Sequence, residues 1–566
     1  VRIWIRVVYA IAFMLPVQAV EARQDWGKRG MVVAADILAS EAGLAMLQQG
    51  GNAIDAAVAT TFAISVTEPQ SAGIGGGGFL LLRDGKTGAI KALDFRERAP
   101  LQATPTMYLD AQGKVRPNAS TEGYLAVAVP GTVAGLAEVH QRYGNLPWKT
   151  VVAPAIRLAT EGFNVSPALA GAIARQQTLQ QHPAARQIFT RNGKPLAVGD
   201  RLIQKDLAKT LTAIAANPQS FYRGSIAQAI AQDMAANRGL ITLADLQQYR
   251  PVWRDPVCGV FRVYQVCSMP PPSSGGVHLL QMLNLISPID LKGLGWHHPD
   301  ALHFLIEAMR IAYRDRAEYL GDPDFVKVPV NALISPAYAD LRRREIDPKR
   351  ARPSSEVPLR DLTQVEKLKR LKESNDTSHL SVVDSAGNAV SLTFTVNLGF
   401  GAGIVTPGTG IVLNNEMDDF STASGVPNAF GLVGREANAI APRKTPLSSM
   451  TPTIVTEKGQ LRLVVGAPGG STIITTVLQI ILNVLVYEMP VEKAVAAPRL
   501  HHQWLPDAVL VESFGFDTLT LEDLRRRGHT LRDRPGWGNA MAITRSPDGL
   551  LQGSADPRGD GAAAGF

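Results

Sequence analysis

Between Arg342 and Ser374 the chain is built mostly from Arg, Lys, Glu, Asp, Pro and Ser, and at Thr377 it changes at once into strand-like sequence. Such a composition carries too little apolar surface to fold by itself, so this stretch is predicted to be a solvated connector or mobile tail. Beyond it, Ser381-Val382-Val383-Asp384 and Ala389 to Val396 read as strands on either side of the hairpin signal Asp384-Ser385-Ala386-Gly387-Asn388. A charged tether therefore leads directly into a β core. A cut in the backbone at that border would be mechanically harmless.

Upstream, Met31 to Ala35 reads as a short apolar strand, and Asp36 to Gln49 carries apolar residues at helical spacing up to Gly50-Gly51-Asn52. Ala53 to Val66 is apolar nearly all round, which predicts an interior helix. It runs into Gly73-Ile74-Gly75-Gly76-Gly77-Gly78, a run that fits close backbone packing better than an anion cradle. The middle of the chain reads largely as helices, among them Val133 to Tyr143, Ala168 to Leu179 and Pro299 to Tyr319. Between them Met269-Pro270-Pro271-Pro272-Ser273-Ser274-Gly275-Gly276 is a turn with a helix start behind it. With 566 residues, 45% of them hydrophobic, the chain can bury a large core. Periodicity alone gives mixed α and β.

Several chemistries are excluded. The 57 basic and 50 acidic residues leave a formal charge of +7, but the positive charge is dispersed, so no nucleic-acid partner is expected. Residues 1–22 have Arg2 and Arg6, an apolar stretch and Val-x-Ala steps, the layout of a cleaved export signal; a periplasmic or extracellular protein with no stable membrane association is predicted. Val477 to Val486 is apolar but holds Gln479 and Asn483 and is too short to span a bilayer. Cys258 and Cys267 are either one disulfide or two buried thiols. Gly85-Lys86-Thr87 lacks the first glycine of a P-loop, no Gly-x-Ser-x-Gly or His-Glu-x-x-His occurs, and His297-His298 and His501-His502 fit surface or packing roles.

What remains is Asn375-Asp376-Thr377-Ser378-His379-Leu380-Ser381-Val382-Val383-Asp384. A threonine hydroxyl needs a base, and a cut before Thr377 would supply one in its own α-amine, whose pKa of roughly 8 suits the work. This segment resembles the signature of γ-glutamyltranspeptidases, members of the N-terminal nucleophile hydrolases. The resemblance extends through Asp94-Phe95-Arg96-Glu97, Asn414 to Phe420, Pro446 to Met450, Gly466 to Ser471 and His501 to Trp504, to Asp556-Pro557-Arg558.

The resemblance implies an α+β fold, a four-layer αββα sandwich formed jointly by a large subunit (23–376) and a small catalytic subunit (377–566), a heterodimer cut from one precursor between Asp376 and Thr377. It implies transfer of the γ-glutamyl group of glutathione and related amides to water or to amino acid and dipeptide acceptors. Thr377 would be the nucleophile, assisted by Thr395, with the backbone N–H groups of Gly469 and Gly470 holding the oxyanion. Arg96, Ser448 and Ser449 would bind the substrate's α-carboxylate; Glu416, Asp419 and Asn397 would take its ammonium. Phe430, in Pro427-Asn428-Ala429-Phe430-Gly431, stands in the lid segment, where relatives often carry Tyr. Amide transfer needs only nucleophile, base and oxyanion donors, so neither metal nor organic cofactor is expected. The competing expectations are a glutaryl or cephalosporin acylase on the same scaffold, and an exported binding protein without turnover.

Overall fold

The computed structural model describes residues 23–357 and 377–566; the proposed export segment 1–22 and Asp376 lie outside the described residues. Two antiparallel seven-stranded sheets face each other. The first runs Ala562–Gly565, Gly30–Ala34, Ser378–Asp384, Ala389–Thr395, Gly77–Arg83, Ile90–Phe95 and Val252–Arg254. The second runs Gln24–Gly27, Leu551–Ala555, Met541–Arg545, Gln460–Gly466, Thr453–Glu457, Tyr264–Ser268 and Val257–Phe261. In the second sheet the four central strands follow Thr377 in the chain and strands from before it lie on both sides; in the first, Ser378–Asp384 and Ala389–Thr395 are flanked by strands from before it, with Ala562–Gly565 beyond them at one edge.

Strand alternation sorts the side chains into layers. Leu380 and Val382 face the helices Ile37–Gln48 and Ala53–Thr67, whereas Val383 faces the second sheet, where Ile454, Val464 and Ile543 meet it. On the outer side of that second sheet, Val455, Leu463 and Val465 pack on Gly275–Ile286, Pro299–Tyr319 and Ile473–Leu485. The result is the four-layer αββα sandwich.

Local chemistry explains the principal elements. All fifteen residues of Ala53–Thr67 are buried, which its small side chains allow, and Asn52 caps it: Asn52 Oδ1 accepts from the N–H groups of Ile54 and Asp55 while Asp55 Oδ2 accepts from Asn52 N–H. A reciprocal cap of this kind contributes about 1 kcal/mol. Asp384 closes the hairpin by accepting from the N–H groups of Ala386 and Asn388, and its other oxygen accepts from Ala53 N–H at 3.0 Å, joining hairpin to helix. Cys258 stands opposite Cys267 on paired strands and the two form a disulfide. Ile473–Leu485, the apolar segment, is wholly buried, and among the described residues no helix is long and apolar enough to cross a membrane.

Two expectations are corrected. The helix expected over Ala168 to Leu179 is broken into Pro167–Arg175 and Thr178–Gln181, because Gln176 turns extended and its side chain donates to Gly399 O at 2.6 Å. The connector is not solvated from its start. Arg342, Ala351, Ser354 and Val357 are buried, Ser354 N–H donates to Asp507 Oδ2 at 2.7 Å, and Trp504 Nε1 donates to Ser354 O at 3.1 Å. Docking onto distant partners offsets the low apolar content there; the rest of the connector, 358–376, lies outside the described residues.

Candidate active site

Thr377 immediately precedes the strand Ser378–Asp384, and the pairing of Ser378 with Phe394 brings it beside Thr395. Thr377 Oγ1 donates to Thr395 Oγ1 at 3.4 Å; Thr395 Oγ1 in turn donates to Ser71 O at 3.4 Å and accepts from Asn397 N–H at 2.8 Å. This close approach of strands depends on the glycine run, since a Cβ on Gly76 would lie 1.9 Å from Thr395 O. The run serves packing.

His379, two residues on, shares the inter-sheet face with Thr377. Its ring nitrogens are engaged by Thr393 Oγ1 at 2.8 Å and Ser381 Oγ at 3.2 Å, and burial drives its pKa down to about 3. A neutral imidazole so committed is no base for Thr377. His501 and His502 are also fully buried, and His501 bonds Thr475 Oγ1 and Gln503 Oε1, a packing role.

Around Thr377 a single cavity is lined by Arg96, Thr395, Asn397, Glu416, Asp419, Phe430, Ser448, Ser449 and Gly470, with Leu432, Met450 and Ile473 as apolar wall. Gly469 adjoins it in sequence. A larger cavity, of about 650 Å³ beside Trp148, Tyr222 and Arg250, contains none of these residues. Positions spread from 96 to 470 thus converge on one hydroxyl.

The charges are concentrated and dry. Arg96 is 1% exposed; its Nη1 lies 2.7 Å from Glu416 Oε1 and its Nη2 2.5 Å from Asp419 Oδ2, with Glu97 Oε2 at 3.8 Å. Both Glu97 and Glu416 are fully buried, and Arg96 is the cation against both. Burial pushes both carboxyl pKa values up against the pull of Arg96, and the two carboxyls act on each other. The expected partners of a substrate's two charges face one another here: Arg96 against Glu416 and Asp419.

The polar floor is fixed by backbone contacts. Ser448 N–H donates to Pro272 O, and Ser448 Oγ accepts from Met450 N–H at 3.0 Å. Asn397 sits at φ 79°, and its Nδ2 donates to Asn415 O at 3.0 Å, which leaves the amide oxygen as the end available to a donor. Gly469 and Gly470 have φ of 133° and 54°, and among the described residues neither N–H donates to a protein acceptor. A Cβ on Gly470 would lie 2.4 Å from the Phe430 ring, so the ring packs directly on this turn. The Phe430 segment is held without a phenol: Asn428 Nδ2 donates to Asp419 Oδ1 at 3.1 Å and Ala429 N–H to Asp418 Oδ2 at 2.9 Å.

Sequence reading missed two residues here. Glu97 stood in a matched motif without a role. Arg316 reaches Ser449 Oγ at 3.3 Å, and its signal was present: it occupies an apolar-face position of Pro299–Tyr319, in step with Leu302, Leu305, Met309 and Ala312.

A family model described as gamma-glutamyltranspeptidase matches residues 39–566. The glutathione hydrolase proenzyme of Escherichia coli (strain K12) is 49% identical over 543 residues, covering 95% of this chain and 92% of the relative. The crystal structure of cephalosporin acylase from Bacillus halodurans superposes with a TM-score of 0.85 at 31% identity over 99% of each chain. That of Helicobacter pylori gamma-glutamyltranspeptidase gives a TM-score of 0.57 at 43% identity, covering 59% of this chain and 97% of that one.

Proposed function

The chain belongs to the gamma-glutamyltranspeptidase family, and from that premise we propose that Thr377 is the nucleophile with which it first opens its own backbone and then turns over its substrate. It is an enzyme, a glutathione hydrolase and γ-glutamyltransferase. In maturation Thr377 Oγ adds to the carbonyl carbon of Asp376, the amide nitrogen leaves as the Thr377 α-amine, and water hydrolyses the resulting ester. The products are a large subunit, 23–376, and a small one, 377–566. With His379 neutral and engaged, the new α-amine is the base at hand.

In turnover Thr377 Oγ adds to the γ-carbonyl while its proton passes to that amine. Gly469 and Gly470 donate to the oxyanion, the leaving amine takes the proton back, and water or an acceptor amine releases the γ-glutamyl group from Thr377. Arg96, Ser448 and Ser449 bind the α-carboxylate; Glu416, Asp419 and Asn397 bind the ammonium. Phe430 covers the pocket as a lid. The observation that carries this reading is the convergence of Arg96, Glu416 and Asp419, one cation against two carboxyls, on the cavity that Thr377 lines. A substrate with both an α-carboxylate and an α-ammonium matches that pairing of signs. Acceptors are amino acids or dipeptides, and export fits the Cys258–Cys267 disulfide.

The test compares γ-glutamyl and glutaryl anilides, which differ only in the α-ammonium. We expect kcat/KM to favour the γ-glutamyl compound by at least about 100-fold, because a site built for a polar group rejects an analogue that lacks it. Equal rates, or a preference for glutaryl, would establish the acylase reading instead. A second expectation concerns the oxyanion turn. Gly469→Ala places a Cβ 2.5 Å from Thr472 Oγ1 at a φ that L residues avoid, so the N–H must swing away. Loss of one such donor lowers kcat by about 100-fold with KM less affected; steady-state kinetics on the γ-glutamyl anilide would show it.

A further inference from the structure

Among the described residues most buried arginines have a carboxylate against them, as Arg96 has Glu416, Arg310 has Glu307 and Arg499 has Asp556, while Arg83 donates to the carbonyls of Gly387 and Gly459. Arg316 differs. It is 5% exposed, and among the described residues no carboxylate forms an ion pair with it. Instead its Nε donates to Ser274 Oγ at 3.0 Å and its Nη2 to Ser449 Oγ at 3.3 Å. Burial lowers its proton affinity, Tyr313 and Asp419 oppose that, and Arg96 adds to it; a guanidinium nevertheless stays charged. An unpaired cation in a dry interior is costly, and its field there is weakly screened.

Its two hydrogen bonds lead to one place. By accepting from Nη2, Ser449 Oγ is left to aim its own O–H elsewhere, and Ser449 lines the cavity around Thr377. Ser274 Oγ, held by Nε, donates to Ser448 O at 2.8 Å and so braces the neighbouring serine. Arg96 meanwhile faces Glu416, Asp419 and Glu97, so its positive charge is already balanced within the site.

We infer that Arg316 is a positioning residue for the α-carboxylate of the γ-glutamyl group: it aims Ser449, braces Ser448 through Ser274, and supplies the positive charge that Arg96 shares with three carboxyls. The assignment rests on the proposed γ-glutamyl specificity. Its consequence is selective, because only a substrate bearing the α-carboxylate uses Arg316.

The experiment pairs Arg316→Met and Arg316→Lys with two anilides, γ-glutamyl and 4-aminobutanoyl, the second keeping the ammonium and lacking the carboxylate. For Arg316→Met we expect KM for the γ-glutamyl anilide to rise at least tenfold with kcat within threefold, while kcat/KM for the 4-aminobutanoyl anilide stays within twofold of wild type. Arg316→Lys keeps the charge and recovers most of the γ-glutamyl KM; it also serves if the Met variant does not fold. Equal loss on both anilides in a folded variant, or no loss on either, overturns the assignment. A wild-type enzyme that ignored the γ-glutamyl anilide would instead overturn the functional reading beneath it.

Discussion

Thr377→Ala is expected to leave the purified protein as one uncut chain with no detectable turnover of a γ-glutamyl anilide. Denaturing electrophoresis of the wild type should show two pieces, and mass spectrometry should place Thr377 at the start of the smaller. One atom would underlie both losses, because Oγ1 is the group proposed to add to the Asp376 carbonyl and later to the substrate. In the structure that atom already leans on Thr395 Oγ1, which is itself tied to Ser71 O and Asn397 N–H. Removing a nucleophile that forms a covalent intermediate costs at least about 1,000-fold in rate. Thr377→Ser, which keeps the oxygen, should retain cleavage and much of the activity. If the alanine variant were still cut before residue 377, the assignment of Thr377 would fail.

The second large effect is expected at Arg96. Arg96→Ala would leave Glu416, Glu97 and Asp419 together in a dry pocket with their common counter-charge gone. Breaking a buried ion pair from one side costs about 3–5 kcal/mol, far more than the intact pair contributes, because the stranded charge cannot return to water. A denaturant titration should therefore show a clearly lower midpoint, together with loss of activity. Arg96→Lys separates the two consequences. It restores a positive charge but not the planar fork that meets Glu416 and Asp419 at once, so the protein should fold while KM for the γ-glutamyl anilide rises about tenfold or more. An alanine variant as stable as wild type would mean that the three carboxyls are not held by this guanidinium.

How far the sequence could be read depended on whether an element is determined by its neighbours in the chain. Pro299–Tyr319 and the hairpin at Asp384 were legible because a proline at a helix start, apolar residues every three or four positions, and Asp-x-x-Gly-Asn are local signals. The break at Gln176 was not, since its cause is a carbonyl at Gly399. Nor was the docking of Ser354, whose partners are Asp507 and Trp504. Whether the two cysteines pair depended on a strand register that spacing leaves open. Composition and period gave only mixed α and β, and the four layers came from resemblance. The site divides the same way. Thr377 could be argued from a hydroxyl at a border between tether and strand, but the pairing of Arg96 with residues more than three hundred positions later could not. Arg316 was readable in principle, as a charge where a helix should be oily, and was passed over because long arginines so often reach solvent.

In the first sheet, Ser378–Asp384 and Ala389–Thr395 lie between Gly30–Ala34 and Gly77–Arg83 and hydrogen-bond to both. The two pieces released by a cut before Thr377 would therefore be interleaved, and no plane through the molecule separates them without tearing a ladder. Their association would be inseparable from folding: losing the partner would be the same event as unfolding, so the stability of the cut protein would depend on its concentration. The order of events follows as well. The sheet has to be laid down while the backbone is continuous, so halves synthesised separately and mixed would face each other as two incomplete sheets with long unpaired edges.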